Sequence, residues 1–300
     1  MRDLRTDLDL GSGDLENLLA LAARVKKTPG EYANALNGRY LSLLFEKPSL
    51  RTRLTFELAI KQLGGDSVTV IGQIGDREPI KDLARNLDRW TDAIVARVFS
   101  QQTIEDLAQW ANVPVINGLS DLYHPCQALA DMFTLKELFE DLRRVKLAFV
   151  GDGNNMAHSL LLCASRLGMD LSVATPPGYE PKMNILAQAA EFARESNSVV
   201  EVTHDPFAAV RGAAAVYTDV WASMGQENEA GQRRQIFEPY QVNEALIEAA
   251  GPESLFMHCL PARRGEETTD AVAESERSII FEQAENRLHV QKALLLMMIE

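Results

Sequence analysis

"YLSLLFEKPSLRTRLTFELAIKQL", residues 40–63, is the stretch whose reading decides the fold. Tyr40–Phe45 is an apolar run closed by a Lys-Pro pair, the pattern of a buried strand. Ser49 stands where a helix N-cap belongs, and its hydroxyl is expected to cap the helix that follows. Beyond it Leu54, Leu58, Ile60 and Leu63 recur at spacings near three and four, which suits a helix lying on a sheet. The first turn of that helix carries Leu50, Arg51, Thr52 and Arg53. Unpaired backbone N–H groups at such a terminus favour an anion, and arginine adds a fork of donors that matches phosphate oxygens. A lone Ser-x-Arg is more often an ordinary helix start with solvated arginines, so this segment gains meaning only beside others.

The strand-helix alternation continues along the chain. Residues 67–71, 93–99 and 113–118 read as further strands of a first series, and 145–151, 171–175, 198–204, 214–220, 255–260 and 278–281 as a second. Amphipathic stretches lie between them, for example Leu129, Met132, Phe133, Leu135 and Leu138. The class is therefore α/β: two three-layer domains, each a parallel sheet flanked by helices, with the active site expected in the cleft between them. A length of 300 residues suits two domains. The boundary is expected near Asp141, giving residues 1–141 and 142–283, with the apolar final helix, 284–300, packing back on the first domain.

Composition excludes several classes of function. Hydrophobic residues at 46% and charged residues at 24% describe an ordinary folding chain. A net charge of −13 argues against a nucleic-acid or anionic-membrane surface, since phosphate backbones are held by excess Lys and Arg. Any anion site must be local. No apolar run approaches the roughly 18 residues of a membrane span, and the acidic amphipathic N-terminus has no signal-peptide character. Cys126, Cys163 and Cys259 are too few and too scattered for a disulfide framework, so a reducing cytoplasm is expected.

Polar clusters gather at the ends of predicted strands, where open α/β sheets bind ligands. They are Arg97, His124–Gln127, and His258–Arg264. Neither His-and-Cys pair has zinc-ligand spacing, so no metal is expected. "VGDGNNMAHS" (150–159) is similar to a dinucleotide fingerprint, but Met156 replaces its third glycine and the next strand end, "LSVATPPG", lacks the acid that would bind a ribose. No cofactor is expected, which leaves Asn154 and Asn155 to hydrogen-bond the α-groups of an amino acid. Asp219 ends a strand, and the long polar loop after it, with Ser223, Met224 and Gly225, is either a functional lid or a solvated insertion.

In order along the chain, "FEKPSLRTR", "HPCQALAD", "GDGNNMAHS", "TDVWASMGQE", "HCLPARRGEE" and "AENRLHVQKALL" resemble the motifs of the aspartate/ornithine transcarbamylase family. The likeness is nearest to its ornithine-using members and spans residues 35–299. It implies that Ser49, Leu50, Arg51 and Thr52 hold the phosphate of carbamoyl phosphate, with Arg53 supporting the turn. Leu50 departs from the threonine of many members, which removes at most one hydroxyl contact. Arg97, His124, Pro125, Cys126 and Gln127 would lie at the carbamoyl group, with Cys259, Leu260 and Arg287 completing the site. Gln73 would reach carbamoyl phosphate in the adjacent subunit of a homotrimer. Asn155, Asp219, Ser223 and Met224 would receive L-ornithine.

The reaction so implied is attack by the δ-amino group of ornithine on the carbonyl carbon, giving citrulline and phosphate without a covalent enzyme intermediate. Arg97 and His124 suit the charge growing on the carbonyl oxygen, and Arg51 with the helix terminus suits the phosphate. The amine must lose a proton, for which Asp219 and Cys259 are the candidates. Siblings acting on acetylornithine, succinylornithine or putrescine are the alternative, although the intact "SMGQE" favours free ornithine. A non-catalytic binding protein on the same fold would have lost Arg51, His124 or Cys259, and all three are present.

Overall fold

Tyr40–Phe45 forms β1, one place in from the edge of a four-stranded parallel sheet. The computed structural model describes residues 2–222 and 227–299. Two compact units emerge, Met1–Phe133 with Glu285–Glu300, and Thr134–Ala284.

In the first unit α1 (Ser12–Lys27) precedes β1, and then α2 (Leu50–Gln62), β2 (Asp66–Ile71), α3 (Ile80–Leu87), β3 (Ala93–Arg97), α4 (Gln101–Trp110), β4 (Val115–Leu119) and α5 (Pro125–Leu138) follow. Every strand returns through a helix, so the sheet is parallel, in the order β2-β1-β3-β4. The order reverses between β1 and β3, and connections from those two strands leave in opposite directions, opening a crevice at their carboxyl ends. The ladder sets Phe45 beside Arg97, which brings Arg97 to the turn that starts α2. The register with β4 shifts between Ala96 and Arg97, an irregularity of the kind that re-aims a side chain. Leu41, Leu43, Ile94 and Val95 are fully buried, and each such side chain stabilises the fold by about 1.5–3 kcal/mol.

The second unit carries β5 (Lys146–Val150), α6 (Asn155–Arg166), β6 (Asp170–Ala174), α7 (Met183–Ser196), β7 (Val200–Thr203), α8 (Pro206–Val210), β8 (Ala215–Thr218), α9 (Ala230–Phe237), α10 (Glu244–Ala250), β9 (Leu255–His258) and α11 (Asp270–Ala273). Its parallel sheet runs β7-β6-β5-β8-β9, reversing between β5 and β8. Gly151–Asn155 and Asp219 follow those two strands. The last helix, α12 (Ile280–Met298), belongs from Glu285 onward to the first unit, where Lys26 Nζ on α1 donates to Asn286 Oδ1 at 2.8 Å.

Three local expectations are corrected. Residues 278–281 are not a strand: Ser278 makes a single bridge to Phe256, and Ile280 already begins α12. Ser49 has the extended backbone of an N-cap, but its hydroxyl makes no capping bond. The polar run after Asp219 is not all loop, because Glu227–Glu229 form a 3-10 turn leading into α9. Ser223 and Met224 lie outside the described residues. No helix among the described residues is long and apolar enough to cross a membrane.

Candidate active site

The site of the first unit is built around one hydroxyl. Thr52, in the first turn of α2, is fully buried, and its Oγ1 accepts from Arg97 Nη1 at 3.1 Å and from Arg287 Nη2 at 2.8 Å. Two guanidinium groups thus converge where the helix N-terminus already favours negative charge. His124 follows a loop pinned by Ser120, whose hydroxyl accepts from the backbone N–H groups of Leu122 and Tyr123. Its carbonyl accepts from the N–H groups of Gln127 and Ala128, so it sits at the head of α5. Burial pushes the imidazole well below its ordinary pKa, and the charges of Arg287 and Arg97 push it further the same way. His124 is accordingly neutral near pH 7, so it can serve there as a dipolar rather than a charged donor.

One turn on, Gln127 is buried and its Nε2 donates to Asp131 Oδ1 at 2.8 Å. That bond fixes the orientation of the amide and leaves Oε1 without a partner among the described residues, an acceptor waiting for an N–H. Cys126 differs. Its thiol is fully buried, turned to the Asn117 carbonyl at 3.4 Å, and pushed up to about 12 by burial. Pro125 opens α5, where its missing N–H does no harm.

The site of the second unit centres on a carboxylate. Asp219 Oδ1 accepts from Cys259 Sγ at 3.0 Å and from its neighbour's N–H, that of Val220, at 2.8 Å; Oδ2 accepts from Asn154 Nδ2 at 2.9 Å. A carboxylate has about four lone-pair positions, so three donors leave room for one more. Asn154 is not free for a substrate as expected, since its Oδ1 also caps α6 by accepting from Met156 and Ala157 N–H. Asn155 is the half-buried residue that follows it. The second glycine of this segment serves the protein itself: a Cβ on Gly153 would lie 2.3 Å from Pro181 N and 2.5 Å from Tyr179 O.

Cys259 is 9% exposed, and Leu260 beside it has φ +58°, a left-handed conformation that costs a leucine roughly 1–2 kcal/mol. The turn is held from below. Leu260 N–H donates to His258 Nδ1 at 2.8 Å, and His258 Nε2 meets the fully buried Glu267 Oε1 at 3.0 Å. Asp219, His258 and Cys259 bring ligand-type atoms within 4.8 Å of one another. Both imidazole nitrogens are engaged, however, so only the thiol and the carboxylate could meet a metal without rearrangement.

Sequence reasoning missed four supporting residues. Asp131 was signalled by its i, i+4 spacing from Gln127. Glu46 accepts from Ile74 N–H at 3.1 Å and from Phe99 N–H at 2.7 Å, tying down the loop that carries the exposed Gln73. Arg233 is buried, donating to Asp152 Oδ2 at 2.8 Å, to the Trp221 carbonyl at 2.9 Å and to Glu229 Oε2 at 3.0 Å, so it ties the turn after β5 to Trp221 and to Glu229. Burial lifts the Asp152 carboxyl to about 6 against the pull of Arg233.

The chain is similar to known proteins over nearly its whole length. Residues 2–137 match the family model for the aspartate/ornithine carbamoyltransferase carbamoyl-P binding domain, and residues 143–298 match that for its Asp/Orn binding domain. An ornithine carbamoyltransferase of Anoxybacillus flavithermus is 50% identical, covering 98% of this chain and 95% of its own. An anabolic ornithine carbamoyltransferase of Pyrococcus furiosus is 49% identical over 98% of this chain and 95% of its own. The solved ornithine carbamoyltransferase structure from Pyrococcus furiosus superposes with a TM-score of 0.95, covering 98% of this chain and 96% of that one. Both halves of the chain, each with its own parallel sheet and polar cluster at the strand switch point, thus belong to the aspartate/ornithine carbamoyltransferase family.

Proposed function

We propose that the protein transfers the carbamoyl group of carbamoyl phosphate to the δ-amino group of L-ornithine, giving L-citrulline and phosphate. The observation that carries this reading is the Thr52 hydroxyl gripped by Arg97 and Arg287 in the first turn of α2. In this reading the first unit binds carbamoyl phosphate. Ser49, Leu50, Arg51 and Thr52 take the phosphate, while Arg97 and neutral His124 donate to the carbonyl oxygen as its charge grows. The open Gln127 Oε1 accepts from the carbamoyl NH2. The second unit binds ornithine, with Asn155, Ser223 and Met224 around the amino acid and Asp219 as acceptor for an amine proton. Because the Cys259 thiol donates to Asp219, it keeps its proton and steadies the carboxylate rather than attacking the substrate.

Citrulline formation assayed across ornithine, acetylornithine, succinylornithine and putrescine tests the assignment. Ornithine should be used far faster than the others; equal or better use of an acylated amine would overturn it. The relatives at about 50% identity carry the ornithine name, which supports this choice over its siblings. All three cysteines are buried and none forms a disulfide among the described residues, which suits a reducing cytoplasm.

Self-association belongs to the same reading. Leu50, Leu54 and Leu58 form an exposed stripe along α2, and Val68, Val70 and Ile71 are exposed on the edge strand β2, with Leu50 71% and Val70 54% accessible. An uncovered apolar edge is a pairing hazard that native proteins usually blunt, so these residues support an interface with a second copy. Gln73 follows that edge by two residues, which fits a role in a neighbour's site within a homotrimer. Sedimentation of Val70→Lys should give monomers with little activity, and an unchanged trimeric mass would exclude this surface.

A further inference from the structure

The loop that leads to His124 is held by a chain of hydrogen bonds that runs back to the segment before α1. That segment lies along β4: Leu4 N–H donates to the Val115 carbonyl at 2.9 Å, and the Leu4 carbonyl accepts from Asn117 N–H at 2.8 Å. The next carbonyl, that of Arg5, is thereby fixed beside the strand. It accepts from Asn117 Nδ2 at 2.8 Å and from Gln101 Nε2 at 3.2 Å. Gln101 opens α4, and its Nε2 also donates to Glu105 Oε1 at 2.9 Å. A carbonyl and a carboxylate can only accept, so the amide of Gln101 cannot be turned end for end. Its Oε1 therefore faces Asn117 Nδ2 at 3.1 Å and the Ser120 hydroxyl at 2.6 Å. Because that hydroxyl gives its one proton to Gln101, its lone pairs are what receive the N–H groups of Leu122 and Tyr123, at 3.3 and 3.1 Å. The backbone N–H of Gln101 donates to Asp121 Oδ1 at 2.7 Å, so this one residue grips both 120 and 121. Asn117 and Ser120 are fully buried, where an unmet polar group is most unfavourable.

We propose that Gln101 is a positioning residue for carbamoyl transfer, acting through Ser120 and the turn at residues 120–123 on His124; this role presupposes the reading of His124 as a donor to the carbonyl oxygen. The turn ends where His124 begins, since Ser120 N–H donates to the Tyr123 carbonyl at 3.0 Å and His124 is the next residue. With the Gln101 amide in place, the Ser120 hydroxyl has one orientation. Without it, the hydroxyl proton turns to the acceptor that remains nearby, the Tyr123 carbonyl at 3.5 Å, and the lone pairs rotate away from the N–H groups they now receive. The turn then loosens directly before His124. A donor to a growing charge has to be held closely, because a misplacement of about 1 Å can lower the rate roughly 10²-fold.

A double-mutant cycle on the full chain separates positioning from mere support. Gln101→Met keeps the length of the side chain and removes its amide. With both substrates saturating, kcat should fall roughly 10-fold, while the KM for ornithine stays at the wild-type value. In a His124→Gln background the same change should lower kcat no further, because the side chain it positions is gone. Asp92→Asn is the control for stability: Asp92 accepts from Arg39 Nη1 at 2.8 Å and from Tyr40 N–H at 2.7 Å at the other end of the same sheet, so its loss should lower the urea midpoint and leave kcat unchanged. An unchanged kcat in Gln101→Met beside an impaired His124→Gln overturns the proposal, as does a loss that is undiminished in the double variant. Normal turnover by His124→Gln alone sinks instead the reading of His124 as a donor. If Gln101→Met does not fold, Ser120→Ala, which deletes the hydroxyl that Gln101 orients, takes its place in the cycle with the same expected outcomes.

Discussion

Guanidinium groups organise the polar cluster of the first unit, whereas a carboxylate organises that of the second. Around Thr52 the cations converge beside His124, which burial first and their charge second hold neutral; around Asp219 three donors converge and leave one acceptor position open. Both clusters occupy the same topological place, the carboxyl ends of strands where the sheet order reverses. The fold therefore supplies the location, and side-chain charge decides the ligand: an anion on one sheet, an amine on the other. The net charge of the whole chain predicts neither.

The largest expected effect comes from taking a cation away from the first unit. Arg51→Ala should lower kcat by about 10²–10³-fold, the usual loss for one preorganised donor to a charge that grows in the transition state. Ornithine binding to the second unit should be little changed. Steady-state kinetics with both substrates varied checks this, and near-normal turnover would dissolve the contrast between the units.

A smaller loss should follow from removing the charge of the second unit. Asp219→Asn keeps the shape and one acceptor oxygen but brings an NH2 against the donors of Cys259, Val220 or Asn154. A hydrogen bond to a charged group contributes about 1.5–3 kcal/mol, so kcat/KM for ornithine should fall roughly 10- to 100-fold. The KM for carbamoyl phosphate should hold. A rise in that constant instead would mean that Asp219 acts on the other substrate.

Acid titration separates the units by sign. His124 binds a proton less readily folded than unfolded, so its contribution to stability is complete above pH 6.5 and declines as pH falls below it. Asp152 binds its proton more readily folded, about 6 against 3.8, so its contribution is complete below pH 3.8 and is lost as pH rises toward 6. Urea midpoints measured between pH 4 and 7 should therefore fall more steeply with acid in Asp152→Asn than in wild type. An identical slope in the two proteins would refute this role for the Asp152 carboxyl.

Much of this contrast was legible in the sequence because both clusters lie at strand ends, where a short apolar run meets a polar turn. Arg97, His124 and Asp219 are examples. Thr52 and Arg287 lie 235 residues apart, and only a family resemblance suggested that they serve one site. Arg233 had no such help: its partner Asp152 is 81 residues away, and a lone arginine in a polar stretch looks solvated. Asn154 was misread because sequence cannot say that a cap and a carboxylate already engage its amide. The apolar run at 278–281 was misread for a simpler reason, since four residues are too few to separate a strand from the first turn of a buried helix.

The smallest effect sharpens the comparison, because it concerns support rather than contact. Glu46 joins two loops of the first unit through one carboxylate, Oε1 to Ile74 N–H and Oε2 to Phe99 N–H, much as Arg233 joins two segments of the second. Glu46→Gln keeps one acceptor and sets an NH2 against the other backbone N–H. The loss should be about 1 kcal/mol, confined to the loops after β2 and β3, and should raise hydrogen exchange at Ile74 and Phe99 roughly fivefold. Since the first loop carries Gln73, the KM for carbamoyl phosphate should rise by a similar factor while kcat stays near wild type. If exchange rises and KM does not, Gln73 takes no part in holding that substrate.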